Sequence, residues 1–169
     1  MNTETAFQTP VAQLWSRILQ DPRFDDLPYK VETNERGQII LSPTKARHSY
    51  RQGDLVRRLA AHRPDGWIAT ELAIQTPGGI KVPDVTWASQ ERYLLGKDAD
   101  SSPVSPELVI EVLSESNTRR EMDEKRDLYF AAGAQEVWTC DADGRIRFYG
   151  PGGELQASEM VPSFPASIV

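Results

Sequence analysis

The chain has 169 residues, a mass of 19.0 kDa and 19 Lys and Arg against 25 Asp and Glu, a net charge of −6. That length fits one domain, 1–169 with a core at about 29–149, and the lone Cys140 excludes an intramolecular disulfide or a thiolate zinc site and suits a reducing compartment. No apolar run approaches the roughly 18 residues of a membrane span, Met1–Pro10 lacks a leader pattern, and the acidic balance disfavours a non-specific nucleic-acid binder, so a cytoplasmic protein is expected.

Val11, Leu14, Trp15, Ile18 and Leu19 recur at helical spacing and predict a short amphipathic helix ending before Asp21-Pro22. Tyr29–Glu32 and Gln38–Leu41 are expected as strands around the turn Asn34-Glu35-Arg36-Gly37. Ser49 to His62 is helical in pattern, and Pro64-Asp65-Gly66 stops it. Trp67–Ala73 and Ile80–Trp87 predict a second hairpin across Thr76-Pro77-Gly78-Gly79. The polar stretch Ser89 to Ser105 holds a turn of helix around Arg92–Leu95. Leu108–Leu113 is the clearest buried strand, apolar on both faces apart from one carboxylate. Asn117 or Thr118 caps a helix to Ala132, closed by Gly133. Val137–Asp141 and Arg145–Tyr149 form a third hairpin, and the tail after Pro151 is expected to be irregular. The order predicts an α+β domain with a central mixed sheet flanked by helices.

Three charged residues sit where the periodicity asks for apolar ones. Glu111 shares a strand face with Val109 and Leu113, where a lone carboxylate is costly unless paired or coordinated. An arginine partner, or the open end of the strand, would satisfy it equally well. Asp84 follows Pro83, which confines its strand to an edge, a bulge or a first residue and aims a side chain from an irregular end, although Pro-Asp is also ordinary turn chemistry. Lys125 falls on one helical stripe with Met122 and Tyr129, facing the core; such a lysine often snorkels, but a buried acid 14 positions earlier offers it a partner. Two acids and a lysine on adjacent elements form the set that phosphodiester hydrolysis uses. Carboxylates hold Mg²⁺, and a lysine orients water or stabilises developing charge.

Val82-Pro83-Asp84-Val85, Ser105-Pro106-Glu107-Leu108-Val109-Ile110-Glu111-Val112-Leu113-Ser114, Glu124-Lys125-Arg126 with Tyr129, Ala132-Gly133-Ala134 and Glu136-Val137-Trp138 together closely resemble the Uma-type family of restriction endonucleases, within the PD-(D/E)XK nuclease superfamily. The likeness extends upstream through Val31-Glu32, Gly37–Pro43 and His48. It implies Asp84 and Glu111 as metal-binding carboxylates, with Glu32 completing the site. The lysine of the superfamily, two residues after the second acid, is Leu113 here, and the resemblance implies that Lys125 on the following helix replaces it. His48 matches a recurrent family position and would touch phosphate or a metal-bound water; a cap or packing role is the plainer alternative.

Charge is unevenly distributed. Lys45 to Arg63 holds six cations against one acid, net +5, leaving −11 for the rest. Arg47, Arg51 and Arg58 lie on one helical stripe, either a solvated face or a track for DNA phosphates. The combined expectation is a Mg²⁺-dependent DNA endonuclease (Mn²⁺ substituting), acting as a homodimer without a membrane anchor. The alternatives are a non-catalytic scaffold in which Glu111 and Lys125 form a structural ion pair and, more remotely, a glycosidase built on paired carboxylates.

Overall fold

The computed structural model describes residues 9–169, so most of the segment examined for a leader pattern lies outside the described residues. The elements in chain order are α1 (Pro10–Leu19), β1 (Tyr29–Thr33), β2 (Ile39–Pro43), α2 (Ala46–His62), β3 (Trp67–Thr70), β4 (Ile74–Thr76), β5 (Gly79–Lys81), β6 (Val85–Ala88), α3 (Gln90–Gly96), β7 (Leu108–Val112), α4 (Arg119–Ala131), β8 (Glu136–Cys140), β9 (Ile146–Gly150) and β10 (Gly153–Leu155). The main sheet has six strands in the order β10-β9-β8-β7-β6-β3. Its pairs are antiparallel except β7 with β8, which α4 connects. This is the mixed, helix-flanked sheet that the sequence predicts.

β7 is buried along its whole length because both faces of the sheet are covered. On one face Leu108, Ile110 and Val112 join Val85, Trp87, Trp138 and Phe148 against Leu55 and Leu59 of α2. On the other, Val109 and Val137 pack with Ile74 of β4 and Tyr129 of α4. α4 begins with a full capping box: the Thr118 side chain accepts the Glu121 amide while Glu121 reaches back to the Thr118 amide. Gly133, at φ +109°, supplies the left-handed step just beyond its end. A third cluster, Trp15, Ile18, Ile80 and Val82, seats α1 on β5.

Three details differ from the sequence expectation. β3 and β6 pair as expected, but the chain between them leaves the sheet as a separate ribbon, β4 with β5. Glu71, left-handed at φ 53°, turns the chain out of the sheet, and Gly79, at φ 95°, lies at the turn that joins β4 to β5. At Gly79 a Cβ would lie 2.7 Å from the Thr33 carbonyl oxygen, so only glycine lets the ribbon close against β1. Helix α2 starts at Ala46 rather than Ser49. The tail is also more ordered than predicted. Gly153–Leu155 pairs with the open edge of β9, and Val161, Phe164 and Ile168 fill the face shared with α2. Among the described residues no helix is long and apolar enough to cross a membrane.

Candidate active site

The register of β6 on β7 brings the two acids together. Val85 pairs with Ile110 as the last step of the ladder, and Asp84 and Glu111 are the next residue on either strand. Alternation turns both away from the face of Val85 and Ile110, and both line one cleft. The Val112 amide donates to Asp84 Oδ2 at 2.6 Å, and the Gln52 side-chain amide of α2 donates to the Asp84 carbonyl at 2.9 Å. Both ends of the acid are therefore held before any ligand arrives.

Asp84 is fully buried, with Lys30 Nζ 2.6 Å from Oδ1 and His48 Nε2 3.3 Å from Oδ2. Burial alone would raise its pKa, but the hydrogen bond from His48 and the nearby Lys30 ammonium outweigh it, and the carboxyl sits at about 2. The same hydrogen bond raises the His48 pKa against the opposing effect of burial. Glu111 behaves in the opposite way: burial raises its pKa, although the Lys125 ammonium pulls it back. Both hydrogen bonds recorded to Glu111 fall on Oε1, from the Tyr129 hydroxyl at 2.5 Å and from Lys125 at 3.0 Å. Glu32 Oε1 accepts the Val82 amide at 2.7 Å and stands 3.0 Å from Lys125 Nζ. Lys125 thus bridges two acids. Burial would lower its pKa, but Glu111 and Glu32 raise it above the ordinary lysine value, so it remains an ammonium.

The sequence candidates Glu32, Asp84, Glu111, Lys125 and His48 all line one cleft of about 330 Å³, together with Lys30. Lys30 was not anticipated. Its strand neighbour Glu32 was, and positions two apart on a strand face the same way, so alternation along β1 was the available signal. Arg47 and Arg51 line an adjoining cavity with His48, where Arg47 pairs with Glu115 at 2.5 Å and Arg51 donates to the Ala142 carbonyl at 3.1 Å. Arg58 is not brought to the site. It is held by Asp54 at 3.0 Å and by the Ile168 carbonyl at 3.2 Å, so the helical stripe divides between the adjoining cavity and the tail.

No three His, Cys, Asp or Glu side chains among the described residues are gathered at metal-ligand spacing. The ammonium groups of Lys30 and Lys125 instead neutralise Asp84 and Glu111. The donors nevertheless fit a hard divalent cation in kind, because carboxylate oxygens are the ligands that Mg²⁺ and Mn²⁺ prefer. Asp84 and Glu111 would hold it.

A family model, Uma2, described as "putative restriction endonuclease", matches residues 21–166. The chain belongs to this family. Among solved structures, the Uma2 chain is similar to one described as a "putative nuclease belonging to DUF820" from Anabaena variabilis, with a TM-score of 0.71 over 90% of this chain and 93% of that one. At 18% identity that likeness concerns the fold. No curated protein matches the sequence. The matched Uma2 region includes every residue of the cleft described above.

Proposed function

We propose that the chain is a divalent-metal-dependent endodeoxyribonuclease, hydrolysing phosphodiester bonds in the cleft between β1, β6, β7 and α4. The observation that carries this reading is Lys125 Nζ, 3.0 Å from both Glu111 and Glu32, with Asp84 brought into the same cleft by strand register. Asp84 and Glu111 would hold Mg²⁺ or Mn²⁺, which supplies Lewis-acid stabilisation of the scissile phosphate when bound. Asp84 is suited to this because it remains ionised at any working pH.

Lys125 remains protonated, so it acts as a donor and a positive charge rather than as a base. It orients the attacking water and offsets charge developing on the phosphoryl oxygens. Glu32 and Tyr129 fix the cation and its acid in place. His48, Arg47 and Arg51 extend positive charge from the cleft along α2, where they meet the phosphate backbone. A homodimer would present one cleft to each strand of a duplex.

Plasmid cleavage with Mg²⁺ or Mn²⁺ tests the assignment, alongside Mn²⁺ calorimetry. Asp84→Asn and Glu111→Gln should each reduce cleavage by about a thousandfold, near 4 kcal/mol of transition-state stabilisation, and should weaken the Mn²⁺ heat. If either variant cuts like the parent, the site is wrong. The completeness of the ion pairing also favours a second reading, a non-cleaving scaffold whose Lys30–Asp84 and Lys125–Glu111 pairs are structural. A parent protein that shows no saturable Mn²⁺ heat supports that scaffold.

A further inference from the structure

A second cavity, about 460 Å³, opens on the neighbouring side of α4. Lys125 lines the catalytic cleft, whereas Arg119, Asp123 and Arg126 line this second space. The two are confluent, because Ser114 and Asn117 border both. The sheet connects them as well. Glu111 pairs with Thr139, and Thr139 pairs with Arg147, so one row across β7, β8 and β9 runs from the catalytic acid to an arginine. Two strand spacings make that row about 10 Å long. Alternation along β9 adds Arg145 and Tyr149 to the same face, while Ile146 and Phe148 are buried on the other.

Two of the three acids of this wall are engaged, and two of its four arginines are not. Asp123 pairs with Arg126 at 3.0 Å, and Asp141 Oδ1 accepts the amides of Asp143 and Arg145, each at 2.9 Å. Arg126 lies 4.2 Å above the Tyr149 ring, which fixes it as a platform. Arg119 and Arg147 have no ion-pair partner among the described residues, and Arg145 reaches Asp143 only at 4.0 Å. Glu154 is the remaining acid in the wall. Elsewhere Arg23, Arg57, Arg58 and Arg63 are each paired with a carboxylate at 3.0 Å or less. Arg17, Arg51 and Arg92 also lack a carboxylate partner among the described residues, although Arg51 and Arg92 donate to backbone carbonyls; Arg119 and Arg147 differ in lining one cavity together. A planar guanidinium fork is matched to phosphate oxygens.

We propose that this cavity is a phosphate subsite for the nucleic-acid strand that enters the catalytic cleft. Phosphates of one strand wind around the helix axis as they rise about 3.4 Å each, so a 10 Å row reaches a phosphate one or two nucleotides from the scissile one. Arg145 and Arg147 grip that phosphate, and Arg119 at the positive end of α4 reinforces them. The inference rests on the nuclease reading for its ligand, but its test does not depend on cleavage.

The experiment is fluorescence anisotropy of a labelled duplex and of its single strand in EDTA, with Glu111→Gln as background so that no cutting occurs. Adding Arg145→Gln and Arg147→Gln together should weaken binding about tenfold at 50 mM salt. It should also flatten the plot of log affinity against log salt by about 1 to 2. Arg119→Gln should act in the same direction, more weakly, and serves if the double variant melts early. Arg23→Gln, outside both cavities, should change neither quantity. An unaltered salt slope in the arginine variants overturns the subsite, as does a background protein that binds neither duplex nor single strand. Arginine-dependent binding in a parent that cuts nothing with Mg²⁺ or Mn²⁺ leaves the subsite standing and removes the catalytic assignment instead.

Discussion

Glu111 and Glu136 are both buried carboxylates on neighbouring central strands, and they are satisfied in different ways. Glu136 accepts from the Trp138 indole, the Ser158 hydroxyl and the Glu159 and Met160 amides, at 2.6–2.8 Å. Every donor is a neutral dipole, and two belong to the backbone of the C-terminal segment, so the acid works as a clamp that cannot let go without undocking the tail. Glu111 has the Lys125 ammonium and the Tyr129 hydroxyl on one oxygen only. An ammonium on a flexible stem can move aside, whereas a backbone amide cannot. Buried charge therefore does not mark a reactive site by itself; what distinguishes the two is whether the compensating groups can be exchanged for a ligand.

Substitutions should separate the two acids cleanly. The largest effect is on chemistry: Glu111→Gln should remove about three orders of magnitude of metal-dependent cleavage while leaving the melting curve cooperative, checked by plasmid nicking and calorimetry on one preparation. Lys125→Met comes next. It leaves Glu32 and Glu111 buried without their shared cation and should cost about 3 kcal/mol of stability in urea titrations, in addition to lost cleavage. Glu136→Gln inverts the pattern: its amide group meets donors on every side, so it should cost about 2 kcal/mol, with cleavage per folded molecule unchanged. A Glu136→Gln protein of parental stability would break the comparison.

The smallest effect is a pH dependence. The His48 pKa is raised in the folded chain, so its bond to Asp84 contributes fully below its unfolded pKa of about 6.5 and is lost as pH rises through the folded value. Asp84 itself does not titrate in that window. Melts of the parent and His48→Gln in metal-free buffer should therefore differ most at about pH 5.5 and converge toward pH 9; a gap that widens with pH would contradict the assigned bond.

Much of the site was legible because it violates local rules. Glu111 in an otherwise apolar strand, and Lys125 on a core-facing stripe, each break a periodicity, and the fold resolves both violations by pairing them. Lys30 breaks nothing: on a strand with one exposed end, a lysine is unremarkable until Asp84 is brought beside it from 54 residues away. The tail was unreadable for a related reason. Val161, Phe164 and Ile168 have no regular element of their own, and only the finished sheet gives them a surface to cover. Arg58 shows the opposite failure. Its spacing matches Arg47 and Arg51, yet periodicity along a helix cannot say which end of that face a neighbouring segment will occupy.

The register that brings Asp84 and Glu111 into one cleft also bears on folding fidelity. Side chains alternate along a strand, so slipping β6 by one residue on β7 would turn Asp84 away from Glu111 and push a carboxylate toward Leu55 and Leu59. It would also forfeit the Val112 amide and strand Lys30 without a partner. A mispaired chain is thus both unstable and unable to assemble the cleft. The contacts that would reject a slipped sheet are therefore the same contacts that assemble the acids of the cleft.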